Sequence, residues 1–201
     1  MTNMSAPSSN IALDKLQSLE RVLIRERAEG FTNCKYVVMG AGDEVLLYAK
    51  EDSSFLNNVL AGRTRAFQID LFDTHDEEVI KLRRPYTVGA DKMDVCVRGA
   101  TAAVVRKEMT FFKPVLTIND AHDHPVIRVK GPVSTTAHCD FELFQRDKRR
   151  IGAISKRWSG MTRAPADLEC FLVSFPGDLD VRYKAALIGT CFLIDILFYE
   201  N

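Results

Sequence analysis

Residues 178–201 read DLDVRYKAALIGTCFLIDILFYEN. From Ala185 to Tyr199 this segment is apolar on every side of a helix, interrupted only by Thr190 and Asp195. A helix that is apolar all round must be surrounded, either by protein or by lipid. Fifteen helical residues at about 1.5 Å each reach roughly 22 Å, short of a hydrocarbon core of about 30 Å. A carboxylate such as Asp195 near a bilayer centre costs about 2.5–3.5 kcal/mol. Both magnitudes favour a helix enclosed by the protein, and a membrane anchor is the alternative left open. An enclosed Asp195 needs a partner, or a place at the mouth of whatever encloses it.

Working back from this helix, the chain reads as a string of hairpins that supply the enclosure. Four blocks share one layout of an extended run, a polar turn and a second extended run rich in basic residues: 35–50, 67–85, 114–132 and 139–158. Phe67, Ile69 and Leu71 alternate with polar residues, as do Phe141 and Leu143, the period of a half-buried strand. The turns carry Gly, Asp and Asn, which tolerate hairpin backbone angles. VIKLRRP at 79–85 matches VIRVKGP at 126–132, and the hairpins before them agree too. The pattern predicts an internally duplicated antiparallel sheet, curled into a barrel around the C-terminal helix.

Two further segments frame the domain. Residues 1–10, MTNMSAPSSN, are small and polar and read as a short mobile tail, with neither a signal peptide nor a myristoylation glycine. The domain then runs over 11–201, its final helix over 180–199. Leu13, Leu16, Leu19, Val22 and Leu23 have helical spacing, which places a helix over 11–29 capped by Gly30, although 22–24 equally suits the start of a strand.

The chain has 201 residues, 46% of them apolar, and 27 basic residues balance 27 acidic ones. That excludes a disordered chain and argues against a dedicated nucleic-acid binder, which shows a basic excess. Cys34, Cys96, Cys139, Cys170 and Cys191 form no C-x-x-C and read as reduced cytosolic thiols. No G-x-S-x-G, P-loop, H-E-x-x-H or G-x-G-x-x-G occurs, so the expectation is not an enzyme. His122 and His124 flank Asp123 in a turn, where a solvated loop outweighs a metal site for want of a third ligand.

The chain resembles the phospholipid scramblase family. The resemblance rests on FPGDLDVRYKAALIGTCFLIDILFYE at 175–200, ISKRWSG at 154–160, the KYVV start at Lys35 and the VIKLRRP block. It covers nearly the whole chain from Leu13. It implies a mainly β, tubby-like fold: a closed antiparallel barrel of about twelve strands around a buried C-terminal α-helix. It also implies calcium-responsive, ATP-independent, bidirectional movement of phospholipids across the bilayer, at the cytoplasmic side of the plasma membrane. The alternative is a soluble tubby-like module in cytoplasm and nucleus, binding anionic phospholipids or nucleic acid in signalling or transcription regulation.

Departures from the family pattern refine the expected partners. About ten residues precede the domain where relatives often carry a long proline-rich extension, so SH3 and WW domains are not expected. The acylated cysteine cluster is reduced to Cys96, which sits in a strand-like run over 94–98 and is expected to face the core. Ser53 and Ser54 stand in the other cysteine-rich stretch. Attachment to anionic phospholipid membranes then falls to the C-terminal helix or to basic residues. The candidates are Arg63 and Arg65, Lys81, Arg83 and Arg84, the turn Arg146-Asp147-Lys148-Arg149-Arg150, and Lys156-Arg157. Nucleic acid is the weaker partner, since the chain is neutral and shows no exposed-looking aromatic pair. Trp158 reads as core.

The resemblance places a calcium (Ca2+) segment on Asp167, Glu169, Phe171, Val173 and Asp178, within DLECFLVSFPGD. Read alone, the segment is acidic at loop positions 1, 3 and 12, but Phe171 and Leu172 stand where an EF-hand has its third carboxylate and its glycine. The alternation over 168–175 suits a strand buried on both faces, with Asp178 or Asp180 as N-cap of the final helix. Both readings stay open, and a calcium site here would be weak, about 10⁻⁴–10⁻³ M.

Overall fold

The computed structural model describes residues 10–26, 34–51, 66–86, 91–133, 139–157 and 170–199. The chain opens with helix α1 (Ile11–Ser18), followed by strands β1 (Arg21–Glu26), β2 (Cys34–Met39), β3 (Val45–Glu51), β4 (Phe67–Phe72), β5 (Glu78–Arg84) and β6 (Lys92–Val97). It continues through β7 (Ala100–Lys107), β8 (Val115–Asn119), β9 (Pro125–Lys130), β10 (Cys139–Gln145), β11 (Arg150–Arg157) and β12 (Cys170–Ser174) to helix α2 (Val181–Phe198). Each strand pairs antiparallel with its sequence neighbour, and β1 pairs with β12 to close the barrel.

Helix α2 runs through the barrel. Every residue from Lys184 to Leu197 is buried, so the helix is apolar all round because a wall of strands surrounds it. The wall supplies alternate residues: Phe67, Ile69 and Leu71 from β4, Met93 and Val95 from β6, Phe141 and Leu143 from β10. Gly189 faces the side chains of β5 and β6 directly. A Cβ there would lie 2.8 Å from Leu82 Cδ2 and 2.9 Å from Met93 Cε. At Gly152 of β11, a Cβ would lie 2.0 Å from the Ser174 carbonyl oxygen of β12, so only glycine permits the approach of these two strands.

The four expected hairpins are β2–β3, β4–β5, β8–β9 and β10–β11. All four turn in the same way. The N–H groups of Gly40, Asp73, Asp120 and Gln145 donate to the carbonyls of Glu44, Glu77, His124 and Arg149. The fourth turn residue has positive φ each time, at Asp43, Asp76, Asp123 and Lys148. Aspartate is among the residues that tolerate this left-handed backbone. In the β4–β5 and β8–β9 turns, the opening carboxylate also accepts two backbone N–H groups: Asp73 from His75 and Glu77, and Asp120 from His122 and His124.

The structure corrects the sequence reading in three places. The first helix ends at Ser18, and residues 21–26 form β1; the apolar positions 22 and 24 have the period of the strand that closes the barrel. Asn10, assigned to the tail, is the buried N-cap of α1: its Oδ1 accepts from the N–H of Ala12 and Leu13, while its Nδ2 donates to Asp73. A fifth hairpin, β6–β7, turns at Arg98-Gly99, both with positive φ. Within it, Met93 and Val95 point inward and Cys96 faces outward. The remainder of the expected tail, Gly30, Arg63, Arg65 and Trp158 lie outside the described residues.

Asp123 gives the fold a pH signature. The Arg106 guanidinium, then the Asn119 amide, hold its carboxyl down from the usual 3.8 to about 2. A carboxylate with a depressed native pKa stabilises the fold above its unfolded pKa and loses that contribution as pH falls through the native one. Asp123→Asn, which keeps the turn's positive φ accessible, is therefore expected to lower the urea midpoint at neutral pH. The gap to the wild-type protein should shrink between about pH 4 and pH 2, as measured by unfolding curves across that range.

Candidate functional site

The barrel has two ends. The tight hairpin turns and the entry of α2 lie at one; the connections β5–β6, β7–β8 and β9–β10 and the far end of α2 lie at the other. At the entry, Asp180 caps α2 by accepting the Arg182 N–H, and the Arg182 side chain holds the carboxyl below its usual pKa. Gln17 of α1 accepts the Val181 N–H at 2.7 Å and donates to the Leu179 carbonyl at 3.0 Å. Lys184, fully buried, donates to the carbonyls of Gln17, Leu19 and Gly177 at 2.6, 2.7 and 2.9 Å. Burial pulls its pKa down, and the three carbonyls occupy all three ammonium donors.

At the far end, Asp195 meets the requirement set by its position on an apolar helix. Its Oδ1 accepts from Lys156 Nζ at 2.8 Å and its Oδ2 from the Tyr36 hydroxyl at 3.0 Å. The Lys156 ammonium also sits 3.7 Å from the centroid of the Tyr199 ring. Lys156 is fully buried, so the expected basic surface at Lys156-Arg157 loses its lysine to the interior. Arg84, expected on the surface with Lys81 and Arg83, is likewise buried and paired with Asp91. The parity of β11 carried the signal: Lys156 shares the inward face with Ile154, and a buried Asp195 demanded a cation.

Of the expected calcium segment, Asp167 and Glu169 lie outside the described residues. Phe171 and Val173 are buried on the inner face of β12, which pairs with β1 and β11 on its two sides. The ladder engages the main chain of a strand flanked in this way. The expectation that this strand is buried on both faces fails at Leu172, which is exposed on the outer wall. Asp178 is exposed in the turn before α2, and the cap is Asp180. Among the described residues, no three His, Cys, Asp or Glu cluster in a way that could hold a metal ion. The rings of His122 and His124 lie 6.4 Å apart on the surface.

A groove of about 520 Å3 on the outer wall crosses β8, β9 and β10. Arg128, Lys130, Arg146 and Lys148 line it, with Lys130 held 4.5 Å over the Phe144 ring. Arg128 pairs with Glu108. Arg149 and Arg150 of the same basic turn engage Gln145 and Glu142. One exposed feature escaped the sequence reading altogether. Phe111 and Phe112, with Met109, stand almost wholly in solvent on the β7–β8 connection, so an exposed aromatic pair does exist.

The scramblase family model matches residues 1–201. The chain belongs to the scramblase family. Phospholipid scramblase 1 of Homo sapiens is 31% identical, over 94% of this chain and 66% of its own length. Phospholipid scramblase 2 of Bos taurus is 31% identical, over 94% of this chain and 71% of its own. Phospholipid scramblase family member 5 of Homo sapiens is 28% identical, over 94% and 77%. This scramblase-family chain thus spans 66%, 64% and 62% of the human, mouse and rat phospholipid scramblase 1 proteins. No solved structure matches it. Among its described residues, no helix is long and apolar enough to cross a membrane.

The Lys156–Asp195 pair sets a stability test. Removing one partner leaves a buried charge uncompensated, at about 3–5 kcal/mol, whereas apolar replacement of both is often neutral. Lys156→Met and Asp195→Leu are each expected to destabilise strongly, and the double variant to recover most of the loss. Urea unfolding of the four proteins in a double-mutant cycle measures this.

Proposed function

We propose that this chain moves phospholipids between the leaflets of a bilayer, in both directions and without ATP, from the cytoplasmic side of the plasma membrane. The observation that carries the reading is the match of the whole chain to the scramblase family, with curated relatives named phospholipid scramblases. The barrel bears on the route. Its interior is filled by α2, so lipid headgroups, which resist transfer into hydrocarbon as charges do, have to pass along the outside of the protein or through bilayer it perturbs. Calcium acts in this reading as the trigger. Asp178, exposed beside the entry of α2, is the described carboxylate that would face it.

A second reading is favoured by the enclosure of α2, which leaves that helix unavailable as an anchor. The chain then acts as a peripheral module whose basic groove, with Arg128, Lys130, Arg146 and Lys148, takes anionic phospholipid. Nucleic acid phosphate is the weaker occupant on a chain with no net charge.

The discriminating experiment places the purified chain in liposomes carrying a fluorescent lipid, and a membrane-impermeant reagent bleaches the outer leaflet. The proposal predicts bleaching beyond half in millimolar calcium, with the calcium response lost in Asp178→Ala. Bleaching that stops at half with folded, membrane-bound protein overturns it in favour of the peripheral module.

A further inference from the structure

The β7–β8 connection carries Glu108-Met109-Thr110-Phe111-Phe112-Lys113-Pro114. Its base is closed. The Glu108 N–H donates to the Val115 carbonyl at 2.9 Å, and the Gly131 N–H to the Pro114 carbonyl at 2.8 Å. Glu108 is also paired with Arg128 of β9, and the Thr110 hydroxyl donates to the Lys113 carbonyl across the loop. From this tied base the tip projects away from the barrel. Met109 is 90% exposed, Phe111 100% and Phe112 84%. Two aromatic rings and a thioether chain thus stand in water on a structured loop. Clustered apolar exposure of this kind marks an interaction site.

We infer that this loop is a membrane-docking wedge, which places Met109, Phe111 and Phe112 into the acyl boundary of an anionic bilayer. The inference deepens the proposed function and rests on that reading for its choice of a bilayer. Three observations favour lipid as the occupant. The tip is convex, and a convex apolar tip enters a fluid bilayer without needing a complementary pocket. Its flank is cationic: Lys113 is exposed next to Phe112, and Lys107, at the end of β7, shares Asp91 with Arg84. Glu108 on the loop and Asp91, whose carbonyl accepts the Lys107 N–H, are each in ion pairs, with Arg128 and with Arg84 and Lys107. Finally, other apolar side chains are exposed on the neighbouring connections at the same end of the barrel. Tyr86 after β5 is 59% exposed, and Val133 after β9 is 69% exposed. An apolar tip beside a basic flank is the pattern of interfacial membrane attachment.

Docked this way, the barrel stands with its loop end on the membrane and its tight turns away from it. The end of α2 that carries Asp195 and Tyr199 faces the bilayer, and Asp178 at the other end faces the solvent. Membrane attachment needs neither an acyl chain on Cys96 nor release of α2 from the barrel.

The test is flotation of the full chain with phosphatidylcholine vesicles, with and without phosphatidylserine. Phe111→Ser/Phe112→Ser is expected to keep the wild-type melting temperature, since both rings are almost wholly exposed. It should bind the anionic vesicles at least about tenfold more weakly, each fully buried ring being worth about ten- to a hundredfold in affinity. In Phe111→Trp, the emission added to that of Trp158 should shift to the blue on vesicle binding and be quenched by brominated acyl chains. Equal binding by the double serine variant, or unquenched emission from Phe111→Trp on bound protein, overturns the wedge. Failure of the wild-type chain to bind vesicles also overturns it and leaves the tip to a protein partner. Lipid exchange followed on the same vesicles separates the two readings: loop-dependent binding without exchange upholds the docking site and overturns the proposed function.

Discussion

An all-apolar helix that carries a carboxylate near one end and a lysine near the other can exist in water only inside something that covers its whole circumference and answers both charges. That constraint organises the molecule. Twelve strands form the cover, and because the cover is closed it leaves no free sheet edge. Lys184 at the entry is satisfied by three carbonyls contributed by the end of α1 and the turn before α2. Asp195 at the far end is satisfied by Lys156 from β11 and Tyr36 from β2. The barrel and the helix are therefore joined by polar contacts at the two ends of α2 and by apolar packing along its length. Gly189 sets how close the helix can come to β5 and β6.

The hairpins were legible because their chemistry is local. Alternation in Phe67-Gln68-Ile69-Asp70-Leu71 and Asp at turn positions that need positive φ are both visible in a short window. The course of α2 was legible for the same reason, from the apolar run over 185–199, while Asp178 and Asp180 both suited its cap. What was not legible depended on partners distant in sequence. The helical spacing of Leu13 to Leu23 left the end of α1 open between a longer helix and a strand from 22, because β1 exists only through pairing with β2 and β12. Lys156 read as surface charge because its partner lies 39 residues away. Cys96 read as core because a one-residue change of parity reverses the face of a strand. The aromatic pair Phe111-Phe112 was passed over because, in sequence, an apolar pair between strands looks like core wherever it falls.

These placements shift where membrane chemistry can happen. A filled barrel has no lumen for a headgroup, and a helix enclosed by strands has no face for lipid. The surfaces left are the outer wall, with its groove of Arg128, Lys130, Arg146 and Lys148, and the loop end with its apolar tip. Scrambling by such a protein would be work done on the bilayer from outside. Thinning or packing defects beneath a docked barrel end would lower the barrier to headgroup crossing, and no channel through the protein would be required.

The enclosure of α2 on the membrane is the claim on which this account stands. It is tested most directly by photolabelling membrane-bound protein from carbene-generating lipid acyl chains and mapping the adducts by mass spectrometry. The account predicts no adducts on residues 181–197 while the protein remains bound to the vesicles. Adducts on Leu187, Ile188, Phe192 or Ile194 would show the helix in lipid and contradict it.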